Sequence, residues 1–188
     1  VIRYVAGAYN LGQSTVIKEL LRSNDLEVSL VKSVSMSDIL NKLAIERGYA
    51  SIVELNQNDY ARQSLQYEVV SGLKHSDFKV TLLDGHYLNI AYDGTIFGTN
   101  YNSGTGPVIC FDAVVVVTAK PETIKERRIK RDRGSWTTDV DKINVEQEME
   151  ISEAKKMGSN CNSAVYILEN SDLNVAVESL KAIVRKFI

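Results

Sequence analysis

Cysteine, proline and histidine are each present only twice among the 188 residues. Cys110 and Cys161 lie far apart with no CxxC neighbour, so neither a zinc knuckle nor a redox pair is indicated. Two lone thiols fit a reduced, intracellular compartment. His75 and His86 are also isolated, with no HExxH spacing. Two prolines and eleven glycines leave little room for linkers or low-complexity tails. No apolar run reaches membrane-spanning length, and no charged, apolar, small-residue leader opens the chain. The expectation is a soluble cytoplasmic protein with no membrane partner. A net charge of −2 provides no global basic field, so no dedicated nucleic-acid surface is evident.

What is present is ordinary globular material, 44% hydrophobic and 24% charged, in a length that suits one domain over 1–188. Strand-like and helix-like stretches alternate along it. Short apolar runs at 2–6, 27–31, 80–84, 113–117 and 164–168 read as strands, and the β-branched run 113–117 reads as the most central. Helical patterns cover about 14–22, 36–47, 52–73, 140–157 and 173–187, with Pro121 placed where another helix begins. Such alternation predicts an α/β fold, a parallel sheet with helices on both faces.

The most informative stretch is Gly7-Ala8-Tyr9-Asn10-Leu11-Gly12-Gln13-Ser14-Thr15. It follows the phosphate-binding P-loop pattern GxxxxGK[ST] except at one place, where Gln13 stands for lysine. In such a loop, backbone N–H groups and the next helix's N-terminus point at phosphate. Gly7 and Gly12 allow the tight turn, Asn10 tolerates positive φ, and Ser14 offers its hydroxyl to Mg²⁺, with Thr15 following. The bland alternative is a strand-to-helix turn. A strand before and a helix after favour the phosphate site.

Two further pieces accompany it. Leu82-Leu83-Asp84-Gly85-His86 puts a carboxylate at the end of an apolar strand, where an aspartate can hold Mg²⁺ beside Ser14, or where an Asp-Gly turn simply ends the strand. Between residues 120 and 133 there are seven positive and three negative side chains. On a helix Arg127, Lys130 and Arg131 share about a third of the circumference. They are placed either to converge on one anion, with Arg133 beyond them, or to form a solvated face.

Together with Glu146-Gln147-Glu148 and Ile167-Leu168-Glu169-Asn170, these segments resemble the archaeal-type adenylate kinases, in the same order and over nearly the whole chain. The resemblance implies a P-loop kinase fold with a central five-stranded parallel sheet, and exchange of a phosphoryl group between ATP and AMP or another nucleoside monophosphate, with ATP and Mg²⁺ on the P-loop. It implies a lid over about 131–138, catalytic roles for Gln13, Arg127, Arg131 and Arg133, and AMP near Ser35, Met36, Arg62 and His86. It also implies a homo-oligomer, a trimer in that family.

Gln13 is the departure. It keeps a neutral donor but loses the cation. Lys18 lies about 140° round the helix and faces away, while Lys32 or Lys130 would have to be brought in by folding. Two function classes follow: a kinase of reduced efficiency, and a diverged nucleotide-binding module with little transfer. A kinase for a different small acceptor is a third, since fold does not fix substrate.

Overall fold

In the computed structural model, which describes residues 2–7, 11–23, 28–75, 77–90, 93–99, 107–132 and 136–188, the β-branched run forms β6 (Ala113–Thr118), its residues 113–117 wholly buried. It pairs in parallel with β1 (Ile2–Gly7) on one side and β7 (Ala164–Glu169) on the other. β3 (Val80–Gly85) lies beyond β1, and β2 (Val31–Ser35) forms the far edge, so the order is β2-β3-β1-β6-β7. The central position belongs to β1, and β6 is its neighbour. All four pairings are parallel, so every strand ends at the same edge of the sheet, where open α/β sheets carry their sites.

Alternation along β6 divides the core. Val115 and Val117 face a cluster with Val16, Ile17 and Leu20 of α1 (Gln13–Arg22) and Leu180, Ile183 and Val184 of α7 (Leu173–Arg185). Val114 and Val116 face the other layer. That layer is built by Met36, Leu40 and Ala44 of α2 (Met36–Glu46), Leu65 and Val69 of α4 (Asp59–Leu73), and Ala154 and Met157 of α6 (Val140–Cys161). Helices therefore cover both faces. α5 (Pro121–Asp132) connects β6 to α6 and starts at its proline.

Several boundaries differ from the sequence expectation. The second strand does not occupy 27–31: residues 28–30 form a 3₁₀ turn and the strand begins at Val31. The expected helix 52–73 is two, α3 (Ile52–Leu55) and α4, because Asn58 turns its side chain to accept the Ala61 N–H and start a new helix. A small antiparallel hairpin, β4 (Leu88–Ile90) and β5 (Ile96–Thr99), lies between β3 and β6. Its turn carries Gly94 at φ 85, packed 3.0 Å from Thr137 and 3.2 Å from Glu146 as measured from where a side chain would start. A larger residue there is strained and crowded at once.

The cysteines also require a correction. Cys110 and Cys161 form a disulfide, with their Cα atoms 5.4 Å apart, that ties the segment before β6 to the end of α6. Residues 51 apart in sequence meet because α6 runs back along the sheet and deposits its C-terminus where β6 begins. The two thiols are therefore a pair, and the inference of a reducing compartment from their isolation is withdrawn. Among the described residues, no helix is long and apolar enough to cross a membrane.

Candidate phosphate and acceptor site

Gly12 adopts φ 78 at the start of α1, the left-handed conformation that glycine takes without strain. A side chain there would meet the Asn170 amide at 3.1 Å. Asn170, just past the end of β7, donates to the Leu11 carbonyl at 2.6 Å, while its own N–H bonds Thr118 at 2.7 Å. Leu11, just before α1, is thus fastened to the carboxyl ends of β6 and β7.

Arg127 adds to this fastening. Its guanidinium donates to the Leu11 carbonyl at 3.0 Å and to the Asn170 carbonyl at 2.7 Å. Its two terminal nitrogens thus hold Leu11 and Asn170 together, while the residue also lines a cavity with Lys130 and Arg131. Arg127→Ala should lower folding stability by about 2 kcal/mol, the order expected for charged hydrogen bonds. Arg131→Ala, at an exposed position, should leave the urea midpoint nearly unchanged. Equal midpoints for the two variants would contradict this division.

Four consecutive residues face two cavities. Gly12 and Thr15 line one of about 550 Å³ together with Arg127, Lys130, Arg131, Asn170 and Leu173. Gln13 and Ser14 line another of about 180 Å³, whose wall includes Ser35, Met36, Arg62, Gln66, Asp84 and His86. The first turn of α1 therefore borders both. Arg127, Lys130 and Arg131 do share one cavity wall; Lys32 instead lies over the Phe78 ring at 5.4 Å. Asn10 and Arg133 fall outside the described residues, as do 133–135 of the expected lid. Gly7 ends β1 in register with Val117.

In the smaller cavity, Ser14 Oγ donates to Asp84 Oδ2 at 2.5 Å. Burial pushes the Asp84 carboxyl above its ordinary value; the Ser14 bond and Lys18 act against that, and Asp38 adds to it. The pair fits Mg²⁺, which takes one or two protein oxygens and completes its shell with water and phosphate. Among the described residues, no group of three or more His, Cys, Asp or Glu is placed to hold a metal. Gln13 is buried, with Nε2 3.4 Å from His86 Nδ1 and 3.5 Å from Nε2 of the same ring. Ser35 caps α2 by accepting the Asp38 N–H, Met36 is buried, and buried Arg62 pairs with Asp59 at 2.9 Å.

Sequence reasoning missed Gln66, Asn56 and Ile52 on the wall of the smaller cavity and Leu173 on that of the larger. Gln66 had a signal: it lies four residues after Arg62, on the same face of α4. Its amide oxygen is buried with no hydrogen-bond partner among the described residues.

Behind these walls α6 presents three buried polar side chains. Gln147 accepts the Ala119 N–H at 2.9 Å. Glu146 takes Arg128 at 2.5 Å, and Arg128 donates to the Thr137 carbonyl at 3.0 Å. Glu150 accepts the N–H groups of Tyr87 at 3.1 Å and Leu88 at 3.3 Å. Burial pushes its carboxyl up to about 8, against those two bonds and with Glu146 and Glu153 adding to the rise. A carboxyl raised in the fold binds its proton more tightly there than in the unfolded chain. Its stabilisation is full below about pH 4.5 and lost as the pH climbs towards 8. Between pH 6 and 8 the wild type should lose on the order of 2 kcal/mol through this group. In Glu150→Gln that slope should flatten; equal slopes in urea titrations would refute it.

The sequence profile described as "AAA domain" matches residues 10–147. Among solved structures, an uncharacterized protein from Eubacterium ventriosum matches with a TM-score of 0.51 at 10% identity, covering 98% of each chain. Shikimate kinase from Aquifex aeolicus matches with a TM-score of 0.51 at 18% identity, covering 99% of this chain and 97% of that one. No curated protein matches. These likenesses speak for the fold, and the profile spans most of the chain and enters at the phosphate loop. The chain belongs to the AAA domain family.

Proposed function

We propose that this protein transfers a phosphoryl group from ATP to a nucleoside monophosphate, with AMP as the acceptor its resemblance to archaeal-type adenylate kinases implies. The observation that carries the reading is the pair of cavities bordered by residues 12–15. The larger is within the range of small-ligand sites and has cationic Lys130 and Arg131 on its wall, which suits the donor nucleotide. The smaller has Ser14 and Asp84 on one side and Arg62 and Gln66 on the other, which suits the acceptor.

An acceptor phosphate oxygen attacks the γ-phosphorus of ATP, the bond to the bridging β-oxygen breaks, and ADP leaves with that electron pair. With AMP as acceptor, both products are ADP. Arg62 supplies positive charge on the acceptor side, and the Gln66 amide on the same wall offers a donor and an acceptor to a base edge such as adenine presents. Ser14 and Asp84 would hold Mg²⁺, which neutralises phosphate charge when bound. Arg131→Ala is expected to weaken ATP binding severalfold through loss of a charge-assisted phosphate contact.

Gln13 favours a second reading, a nucleotide-binding module with little transfer, because its side chain is neutral and turned to His86. A coupled assay of ADP formation with the four nucleoside monophosphates, and with shikimate as a small non-nucleotide acceptor, separates the possibilities. Transfer to AMP above the others supports the kinase reading. ATP binding by calorimetry with no transfer supports the binding module. Absence of heat with ATP at millimolar concentration removes both.

A further inference from the structure

Glu150 sits on α6 with essentially no solvent exposure, and it lines neither cavity. A carboxyl in such a place is costly unless its oxygens are used. Here both are used, and on one short segment. Oε2 accepts from the Tyr87 N–H and Oε1 from the Leu88 N–H, across 63 and 62 residues of sequence. That segment directly follows Asp84, Gly85 and His86, all three of which face the smaller cavity. Tyr87 and Leu88 are themselves 1% exposed, so water is a poor substitute for the carboxyl. The backbone leaves β3 at Gly85 and enters the β4–β5 hairpin at Leu88. Between those points, Glu150 holds two successive backbone N–H groups.

We infer that Glu150 is a positioning residue for phosphoryl transfer: by gripping the Tyr87 and Leu88 N–H groups it sets where His86 and Asp84 stand against Gln13 and Ser14. This rests on the kinase reading above. The donor cavity contains no residue from 84 to 88, so the grip acts on the acceptor side and on the reacting centre. Its neighbours are Glu146 and Glu153 on the same helix, with Arg128 of α5 engaged by Glu146.

The variant that tests this is Glu150→Met, similar in length and with no oxygen acceptor. Its kcat should fall on the order of tenfold to a hundredfold, as displaced reacting groups do, while KM for ATP stays within about threefold of wild type. Glu150→Gln keeps one oxygen acceptor and should recover most of the kcat. A purely structural role would not give that split or that rescue. In a His86→Ala background the further loss from Glu150→Met should shrink to less than about threefold, because both changes act on one element. An amide-to-ester exchange at Leu88 deletes a single N–H and leaves every side chain in place; it should lower kcat severalfold and serves even where Glu150→Met folds poorly. Transfer by the wild type with kcat unchanged in both Glu150→Met and the ester variant overturns this inference alone. So does a full additional loss in the His86→Ala background. No transfer by the wild type to any acceptor overturns the kinase reading, and this inference with it.

Discussion

Arg128→Ala is expected to cost about 3–5 kcal/mol of folding stability, because it strands the Glu146 carboxylate in the interior without its cation. Both partners are wholly buried, at 0% and 1% side-chain exposure, with Nη2 2.5 Å from Oε2. Arg128 also donates to the Thr137 carbonyl and lies 5.6 Å from the centre of the Trp136 ring. Its loss therefore frees the start of the segment leading into α6 as well as exposing a charge. Replacing both partners by apolar residues, Arg128→Met with Glu146→Leu, should be far milder than the single change, since a filled apolar site carries no stranded charge. Urea unfolding of the three proteins measures this directly. A single variant within about 1 kcal/mol of wild type would show that water reaches Glu146 and that the pair is not a structural pin.

Arg128 also shows where reading the sequence stops. In the run 120–133 it looks like one more cation among seven. Helical spacing separates it from Arg127, Lys130 and Arg131, yet says nothing of what it faces. Glu146 of α6, with Trp136 and Thr137 ahead of that helix, converts it from a surface charge to a buried pin. Glu150 is the same case, an acidic residue in a charged helix whose partners are backbone groups more than sixty positions away. The strand-helix alternation was legible because β6 is buried on both faces and needs an unbroken β-branched run to be so. The edge strand β2 was misplaced because Lys32, Ser33 and Ser35 give it a mixed surface, and pairing with β3 decides its limits. The hairpin had a local sign in Asp93-Gly94 that went unread. At the site, Gly12, Ser14 and Asp84 carried their chemistry in their spacing, as backbone-driven motifs do. The far wall of the smaller cavity did not, because its residues come from three separate helices, Met36, Ser37 and Leu40 from α2, Ile52 from α3, and Arg62 and Gln66 from α4.

Gln13→Lys is expected to tighten ATP binding on the order of tenfold, by exchanging a neutral donor for a cation worth about 1–2 kcal/mol more against phosphate. The structure favours the exchange. Gln13 opens α1, so a residue of similar length fits without moving the backbone, and its side chain already reaches the wall shared with Ser14, Asp84 and His86. A lysine gives up the contact to the His86 ring, 3.4 Å long at best, which is a small loss beside a phosphate contact. Lys32 lies over Phe78, and Lys18, though its charge is felt at Asp84, lines neither cavity, so neither occupies the place of Gln13. If the protein is a kinase working below its potential, transfer should rise by more than binding does, because negative charge on the moving phosphoryl group is stabilised most in the transition state. If it is a binding module, calorimetric affinity should rise while ADP formation stays at background. A folded Gln13→Lys protein in which neither quantity changes would mean that phosphate does not lie over the first turn of α1, and the assignment of both cavities would fall with it.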